Sequence, residues 1–312
     1  MFQFRAAGAC VLAVALSGGP ALSIELGDPA PALKIAEWIK GQPVDLAAVK
    51  GKNIVVLEFW ATWCGPCKAS IPHLSEVQAK YRDKGVILVS VSDEPTSEVR
   101  QFVESAGDKM AFTVACDEGG ATKDAYLSAL GGGIPYVFII NKAGQVAWHG
   151  IPFDGSMERS IDAMLAGTYD LAAAKEDARK AVAARKAMKD YFETLVDGAN
   201  PAKASTIGHQ VVTNGAKDAF LMNDFSWTIL TNPQIEDGKR DLALAMKAAK
   251  CAYDACEGSD PAIVDTYARA LFDTGKRTEA IKFQEQAVNL CADAKLREQL
   301  QKTLDEYRAK MR

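Results

Sequence analysis

The sequence is poor in cysteine and has no excess of positive charge. Its 7 cysteines in 312 residues are too few for a fold built on a disulfide scaffold. Lysine and arginine (36) are outnumbered by aspartate and glutamate (40), there is no basic run, and the net charge is −4, which argues against nucleic acid as a partner. A hydrophobic content of 48% with 24 glycines and 12 prolines excludes collagen, a disordered tail and a multispanning membrane protein.

The length favours two domains. At about 150 residues per domain, the chain provides two units that are each large enough to bury a hydrophobic core. Alternating strand and helix patterns run from residue 24 to about 168, whereas after Asp170 alanine and lysine become dense and strand-like runs almost disappear. We therefore assign residues 24–169 to an α/β domain and residues 170–312 to an all-helical domain.

The first 23 residues have the pattern of a secretory signal peptide. Arg5 supplies the positive charge, residues 6–16 are small and apolar, and residues 17–20 (SGGP) break the run before a cleavage position after Ser23. The apolar run is shorter than the ~17–25 residues that span a bilayer, so an uncleaved anchor is the weaker alternative. We expect a periplasmic or secreted protein in an oxidising compartment, with membrane contact only through an uncleaved leader.

The α/β domain is centred on a buried strand. Residues 54–60 (IVVLEFW) form an apolar run that is too short for a typical helix and rich in strand formers, and an amphipathic helix follows it. Further strands are predicted at 86–91, 136–140 and 145–149, and a closing helix at 156–166. Residues 96–130 are expected to be partly helical and partly extended. This order predicts an α/β fold with a mixed sheet and flanking helices.

The second domain has the pattern of paired helices. Helix-length segments are separated by turn formers at 198–201, 214–215, 232–233, 259–261 and 274–275. Ala245 and Ala252 precede Ala280 and Ala287 by 35 positions. A period near ~34 residues is typical of stacked helix pairs, so we predict a helical-repeat domain.

Chemistry is concentrated where the central strand ends and the next helix begins, in the segment Trp63-Cys64-Gly65-Pro66-Cys67. Cys64 falls at a helix N-terminus, where unpaired N–H groups and the helix dipole favour a thiolate. Cys67, one turn further, is placed to attack a mixed disulfide between Cys64 and a substrate. Gly65 permits the tight turn, and Pro66 stiffens it without losing a required N–H. The pattern predicts a reversible dithiol/disulfide couple.

Two other interpretations of this cysteine pair are a structural disulfide and half of a zinc site. Zinc requires a second pair of Cys or His residues at ligand spacing. Only Cys251 and Cys256 come close, and they lie in the other domain. The sequence therefore predicts neither a metal nor a cofactor.

The motif resembles the active site of the thioredoxin superfamily. Phe59-Trp60-Ala61 precedes it, and Pro72 follows Cys67 by five residues. The leader, the opening at 27–31 and the helical insertion before Ile134-Pro135 resemble the exported TlpA-like branch of that superfamily. The resemblance implies a thioredoxin-like fold, protein thiols or disulfides as substrates and an upstream electron donor.

The resemblance also implies roles for single residues. Ile134-Pro135 matches a cis proline that lies beside the Cys pair, where the preceding backbone pairs with a substrate strand; an ordinary trans proline is the alternative. Glu58, six residues before Cys64, matches a buried acid that relays the Cys67 proton, and burial would raise its pKa; a charge at a sheet edge is the alternative. The implied substrate contacts are Trp63, Gly65, Pro66 and Ile134.

Three positions depart from the TlpA-like pattern. Lys68 and Ser70 stand where such proteins often carry Arg and Glu, which changes the local potential near the thiolate. Ile134 is bulky and apolar where many relatives have small or polar residues, which would narrow the substrate groove.

The helical domain more weakly resembles tetratricopeptide repeats. Residues 265–272, Gly275, Glu279-Ala280 and Ala287 fit the small-residue spacing of one repeat, and Trp227 begins a degenerate earlier copy. Such arrays bind other proteins or dock on another domain of the same chain.

Cys256 and Cys291 lie 35 positions apart, at equivalent ends of neighbouring predicted helices. Two alternatives stand for them: a structural disulfide formed after export, or two free buried thiols.

The sequence favours an exported thiol-disulfide oxidoreductase that reduces protein disulfides through Cys64 and Cys67, since Gly65-Pro66 resembles the reducing members. The alternatives are a thiol oxidase and a partner-recruiting or redox-sensing helical-repeat protein whose Cys pair does not turn over. Glu58 and Pro135 favour turnover, because sensing requires neither a proton relay nor a substrate groove.

Overall fold

The computed structural model describes residues 24–128, 133–153, 155–196 and 201–311. The predicted signal peptide lies outside these ranges. Within them, the predicted architecture is confirmed: a mixed sheet with flanking helices is followed by a largely helical region.

The sheet has six strands in the spatial order β1-β4-β3-β2-β5-β6. Their bounds are β1 Ile35–Lys40, β2 Ile54–Phe59, β3 Val86–Ser92, β4 Thr113–Asp117, β5 Tyr136–Ile140 and β6 Val146–Gly150. β2 runs parallel to β3 and antiparallel to β5, β3 runs parallel to β4, and the two outer strands are antiparallel to their neighbours.

Every residue of β2 is buried, as its apolar run predicts. Alternate side chains enter different cores, because successive side chains of a strand point to opposite faces. Ile54 and Val56 face one core, and Val55 and Leu57 face the other. β2 therefore fixes the centre of the domain.

The sequence analysis did not predict β1 as a strand and left β4 within a mixed stretch. β1 alternates poorly and its pairing with β4 is interrupted by two register shifts. β4 has only five residues. Patterns this short or irregular carry little periodic signal, and both strands form through pairing with distant parts of the chain.

In the described part of the α/β domain there are five α-helices. They are α1 Leu46–Val49, α2 Gly65–Tyr81, α3 Thr96–Ala106, α4 Ala121–Leu127 and α5 Ser156–Ala166. Residues of α2, α3 and α5 pack together with Ile54 and Val56 in the core beneath one face of the sheet. This face carries the N-terminus of α2 and hence the cysteine motif.

The described remainder of the chain contains helices and no strand. These helices are α6 Leu171–Val196, α7 Pro201–Gly215, α8 Ala219–Thr231, α9 Leu242–Ala255, α10 Pro261–Asp273, α11 Arg277–Leu290 and α12 Ala294–Ala309. Asp218, Asp241, Asp260 and Asp293 each accept a hydrogen bond from a first-turn N–H and cap α8, α9, α10 and α12, and Asp260 lies within the predicted turn at 259–261. The predicted turn at 198–201 lies mostly outside the described residues. Among the described helices, none is both long and apolar enough to cross a membrane.

The predicted repeat positions lie on α9 and α11. Ala245, Ala252, Ala280 and Ala287 are all fully buried, which allows close approach of the neighbouring helices. α8 packs on α9, α9 on α10 and α10 on α11. The helices therefore stack in sequence, while their assignment as tetratricopeptide repeats stays a prediction.

The disulfide considered between Cys256 and Cys291 is absent from the structure: both are buried free thiols. Each thiol donates a hydrogen bond to a backbone carbonyl only two or three residues away in the sequence. Cys256 Sγ donates to the carbonyl of Tyr253 at 3.5 Å, and Cys291 Sγ donates to that of Asp293 at 3.4 Å. The two residues belong to different apolar clusters, which share Tyr253 and Phe283 at their margins.

Helix α6 belongs to both cores. Its first half packs Leu171, Ala174 and Ala178 against the sheet face opposite α2, whereas Ala184 and Tyr191 lie in the core of the helical domain. The boundary expected at residue 170 therefore falls just before a helix that the α/β domain also uses. A fragment that ends at residue 170 would expose part of a sheet face.

This sharing predicts a difference between two fragments, 24–170 and 24–180. The longer fragment keeps the three side chains of α6 that cover the sheet, and their loss costs about 2 kcal/mol. We expect the shorter fragment to unfold at a temperature lower by roughly 4–8 °C, measured by circular dichroism. Equal melting temperatures would show that the first half of α6 does not stabilise the α/β domain.

Candidate active site

The cysteine motif lies at the junction of β2 and α2, and Cys64 and Cys67 form a disulfide. Cys64 is the N-cap of α2, and its sulfur accepts a hydrogen bond from the backbone N–H of Cys67 at 3.1 Å. This N–H and the helix dipole both stabilise negative charge on the Cys64 sulfur. Cys64 is 4% exposed, whereas Cys67 is fully buried. Both cysteines are therefore buried, and Cys64 is the one of the pair that keeps some contact with solvent.

Exposed residues surround Cys64. Trp63 is 71% exposed, and Gly65 and Pro66 are also exposed. A Cβ atom at Gly65 would meet nothing within 4 Å, so the space beside the disulfide is open. These predicted substrate contacts form one surface with the outer cysteine.

Ile134 and Pro135 lie beside the disulfide, although they are some 70 positions away in the chain. Their peptide bond is cis, as the resemblance implies. The Ile134 carbonyl oxygen is 3.8 Å from Cys64 Sγ. The side chain of Ile134 is partly buried and contacts both sheet cores, so it is held by packing as well as by the backbone.

Glu58 is a buried carboxyl in the centre of the sheet. It lies on β2 opposite Ser90 of β3 and Val137 of β5, so the sheet-edge alternative is wrong. Its Oε2 accepts a short hydrogen bond from Ser90 Oγ, whereas Oε1 has no hydrogen-bond partner. Burial raises the pKa of Glu58 to about 8, and the hydroxyl groups of Ser90 and Ser70 oppose that rise. Glu58 therefore holds a proton at neutral pH.

Sequence analysis missed Glu94, which holds the segment before Cys64. Its Oε2 accepts hydrogen bonds from the Thr62 N–H at 2.7 Å and from Ser92 Oγ at 2.9 Å, and its Oε1 accepts one from Thr62 Oγ1 at 2.6 Å. The acidic pair Asp93-Glu94 just after β3 was the available signal, because the carboxyl ends of parallel strands meet at one edge. Which of the two acids turns toward Thr62 is decided by the tertiary structure.

The strand after Pro135 has a second support that the sequence did not reveal. The Tyr136 hydroxyl lies 2.8 Å from His149 Nδ1 on β6, and the two rings are stacked. Burial lowers the pKa of His149 to about 4, so its imidazole is neutral and pairs with the phenol as a neutral group.

Comparison with known proteins agrees with this geometry. The model of the AhpC/TSA family matches residues 26–149. The thiol-disulfide oxidoreductase ResA of Oceanobacillus iheyensis is 37% identical over 125 residues, which span 39% of this chain and 62% of that protein. ResA of Bacillus thuringiensis strain Al Hakam is 36% identical over 124 residues, which span 39% of this chain and 68% of that protein.

A solved structure also resembles the first domain. It is a crystal structure of a Chlorobium tepidum protein described as a candidate thiol:disulfide interchange protein DsbE. This chain is 35% identical to it, the match covers 46% of this chain and 99% of that one, and the TM-score is 0.39.

The Glu94 contacts predict a local effect of Glu94→Ala. This change removes the carboxylate that binds both the N–H and the hydroxyl of Thr62, and hydrogen bonds to a charged group are the stronger ones. We expect the Thr62 amide to exchange with solvent at least about tenfold faster, measured by hydrogen–deuterium exchange. Glu104→Ala, at an exposed position of α3, is the matched control. Unchanged Thr62 exchange would show that Glu94 does not hold the segment.

Proposed function

Because the chain belongs to the family of the thiol-disulfide oxidoreductases named ResA, we propose that it reduces disulfides in other proteins through Cys64 and Cys67. The observation that carries this proposal is the asymmetry of the pair. Cys64 caps a helix N-terminus and is the more accessible of the two, and Cys67 is fully buried on the sheet face that also holds the protonated Glu58. A structural disulfide requires none of these features.

The first step uses the outer cysteine. In the reduced protein, the Cys64 thiolate attacks one sulfur of a substrate disulfide. A Cys64–substrate bond forms, the substrate S–S bond breaks, and its second sulfur leaves as a thiolate that takes a proton from solvent. The N–H of Cys67, which points at the Cys64 sulfur, supports the thiolate before attack.

The second step uses the inner cysteine. Glu58 in its carboxylate form takes the proton of the Cys67 thiol, and the Cys67 sulfur attacks Cys64. The Cys64–Cys67 bond forms, the mixed disulfide breaks, and the first substrate sulfur leaves as a thiolate. Two electrons pass to the substrate. An upstream dithiol then reverses the sequence, and Glu58 returns the proton to Cys67.

Substrate contacts are proposed for Trp63, Gly65, Pro66 and Ile134. The exposed surface of the first three supports this role, as does the Ile134 carbonyl near Cys64. An extended segment beside Pro135 would pair with the Ile134 backbone and bring its disulfide to the outer cysteine.

We further propose that the protein is exported and that its helical domain recruits partners. Residues 1–23 have the charge and apolar pattern of a cleaved leader, which would place the protein in the periplasm or outside the cell, anchored only if cleavage fails. The stacked helices and Gly275, whose φ of +86° makes the turn from α10 to α11, support a tetratricopeptide-like docking domain.

The two-step mechanism predicts that Cys67→Ser traps substrates. Cys64 still attacks, but no second thiol releases the product. With insulin as the substrate, we expect a covalent adduct on non-reducing gels that a thiol reductant removes. The control is the double variant Cys64→Ser/Cys67→Ser, which retains the thiols of Cys116, Cys251, Cys256 and Cys291. An adduct of equal yield in the double variant, or none in Cys67→Ser, would contradict exchange through Cys64.

The proton relay predicts a slower second step in Glu58→Gln. Only ionised Glu58 accepts the Cys67 proton, so the wild-type rate of mixed-disulfide resolution should rise as the pH passes through the pKa of Glu58, about 8 in the disulfide form. Glu58→Gln should lower the rate roughly 10²-fold and remove that rise. Stopped-flow measurements from pH 6 to 9 test this, with Glu76→Gln at an exposed position of α2 as the control. An unchanged rate would rule out the relay.

A further inference from the structure

Ser70 is a buried polar residue to which sequence analysis assigned no role. It lies on α2 one turn after Cys67 and is fully buried. Its Oγ donates a hydrogen bond to the Cys67 carbonyl oxygen at 2.8 Å. Ser70 therefore contacts the backbone of the inner cysteine from within the same helix.

Glu58 is approached by hydroxyl groups from two elements. Ser90 donates to its Oε2 from β3, and Ser70 lies on α2, which packs on the face of β2 that carries Glu58; both hydroxyls lower the pKa of Glu58. The two hydroxyls differ in what they already bind: Ser90 donates to Glu58, whereas Ser70 donates to Cys67. Glu58 Oε1 is buried and has no hydrogen-bond partner.

A serine hydroxyl has one proton, so Ser70 serves one acceptor at a time. While Glu58 is protonated, its neutral carboxyl group is a weaker hydrogen-bond acceptor than the Cys67 carbonyl oxygen, so Ser70 donates to Cys67. Once Glu58 loses its proton, a buried carboxylate with an unpaired oxygen becomes the stronger acceptor, because hydrogen bonds to ionised groups are about twice as strong as neutral ones.

We propose that Ser70 is a positioning residue whose hydroxyl proton turns from the Cys67 carbonyl to the Glu58 carboxylate when Glu58 ionises. This inference rests on the proposed function, since it concerns the group that takes the Cys67 proton. Ser70 keeps the ionised form of Glu58 accessible in a site that burial would otherwise hold neutral.

Other ionisable groups near this core are few. With Cys64 and Cys67 joined in the disulfide, the titratable side chains of the same apolar cluster are Tyr81 and Cys116. The ion pair of His73 and Glu158 joins α2 to α5 at 2.7 Å and is partly exposed. Within the described residues, no charged side chain contributes to the shift at Glu58, which leaves the two serine hydroxyls as its polar partners.

The test measures the pH midpoint at which Glu58 ionises in the Ser70→Ala variant. The readout is the 13C carboxyl resonance of Glu58, recorded against pH in the full-length oxidised protein. Alanine removes only the hydroxyl and favours the helix. We expect the midpoint to rise by roughly one pH unit, because a hydrogen bond to the charged form is lost. Ser90→Ala should move it in the same direction.

Ser105→Ala is a matched control. Ser105 also donates to a carbonyl three residues earlier, that of Phe102 at 2.7 Å, but it is exposed on α3. The Glu58 midpoint should be unchanged in this variant. A Ser70→Ala midpoint equal to wild type would overturn the proposal, even if the melting temperature fell, because a purely structural serine would affect stability alone.

A kinetic measurement separates this inference from the proposed function. The pH at which mixed-disulfide resolution accelerates should rise in Ser70→Ala by the same amount as the midpoint, and Ser70→Ala should have no further effect on the pH profile in a Glu58→Gln background. If the Glu58 midpoint shifts but the protein exchanges no disulfides, Ser70 is a partner of Glu58 and the proposed reductase function is refuted. Exchange with an unshifted midpoint would refute the role of Ser70.

Discussion

The burial of one carboxyl group under the active-site helix is the constraint on which the rest of the site depends. Glu58 lies in the middle of the sheet, and α2 covers the face that it occupies. Moving a carboxylate into such a core is costly, so the group keeps its proton until the pH approaches 8. β2 is otherwise apolar and buried, and Glu58 is its one polar residue. Glu58 lies on the sheet face against which Cys67 packs.

The parallel register of β2 and β3 sets two polar contacts at once. Ser90 lies opposite Glu58, and the same alignment continued beyond the strands brings Glu94 to Thr62. Both contacts join residues 32 positions apart. A slip of one residue between these strands would therefore remove the hydroxyl from the acid and the carboxylate from the segment before Cys64. The register of β2 and β3 therefore determines how the residues around the cysteine motif are held.

The helical domain joins the catalytic domain through α6, which contributes side chains to both cores. Leu171, Ala174 and Ala178 of α6 cover part of the sheet face opposite α2. Arg159 of α5 also donates to the carbonyl of Ala255 at the end of α9.

The sequence by itself determined the features that depend on neighbouring residues. The run 54–59 formed β2, Cys64 became a helix N-cap with Pro66 in the first turn, and an aspartate caps each of α8, α9, α10 and α12. Strand periodicity and cap chemistry act over a few residues, so the pattern suffices. The resemblance to a known active site pointed to Glu58 and Pro135, and the structure brings both to the cysteine pair's side of the sheet.

Only the tertiary structure decided which distant groups meet. It paired β1 with β4, aimed Glu94 at Thr62, joined Ser90 to Glu58 and Ser70 to the Cys67 carbonyl, and left Cys256 and Cys291 as free thiols despite their 35-residue spacing. These contacts depend on strand register and helix rotation, which one residue of slippage would change. A pattern of residue types along the chain does not encode that alignment; packing of the whole core selects it.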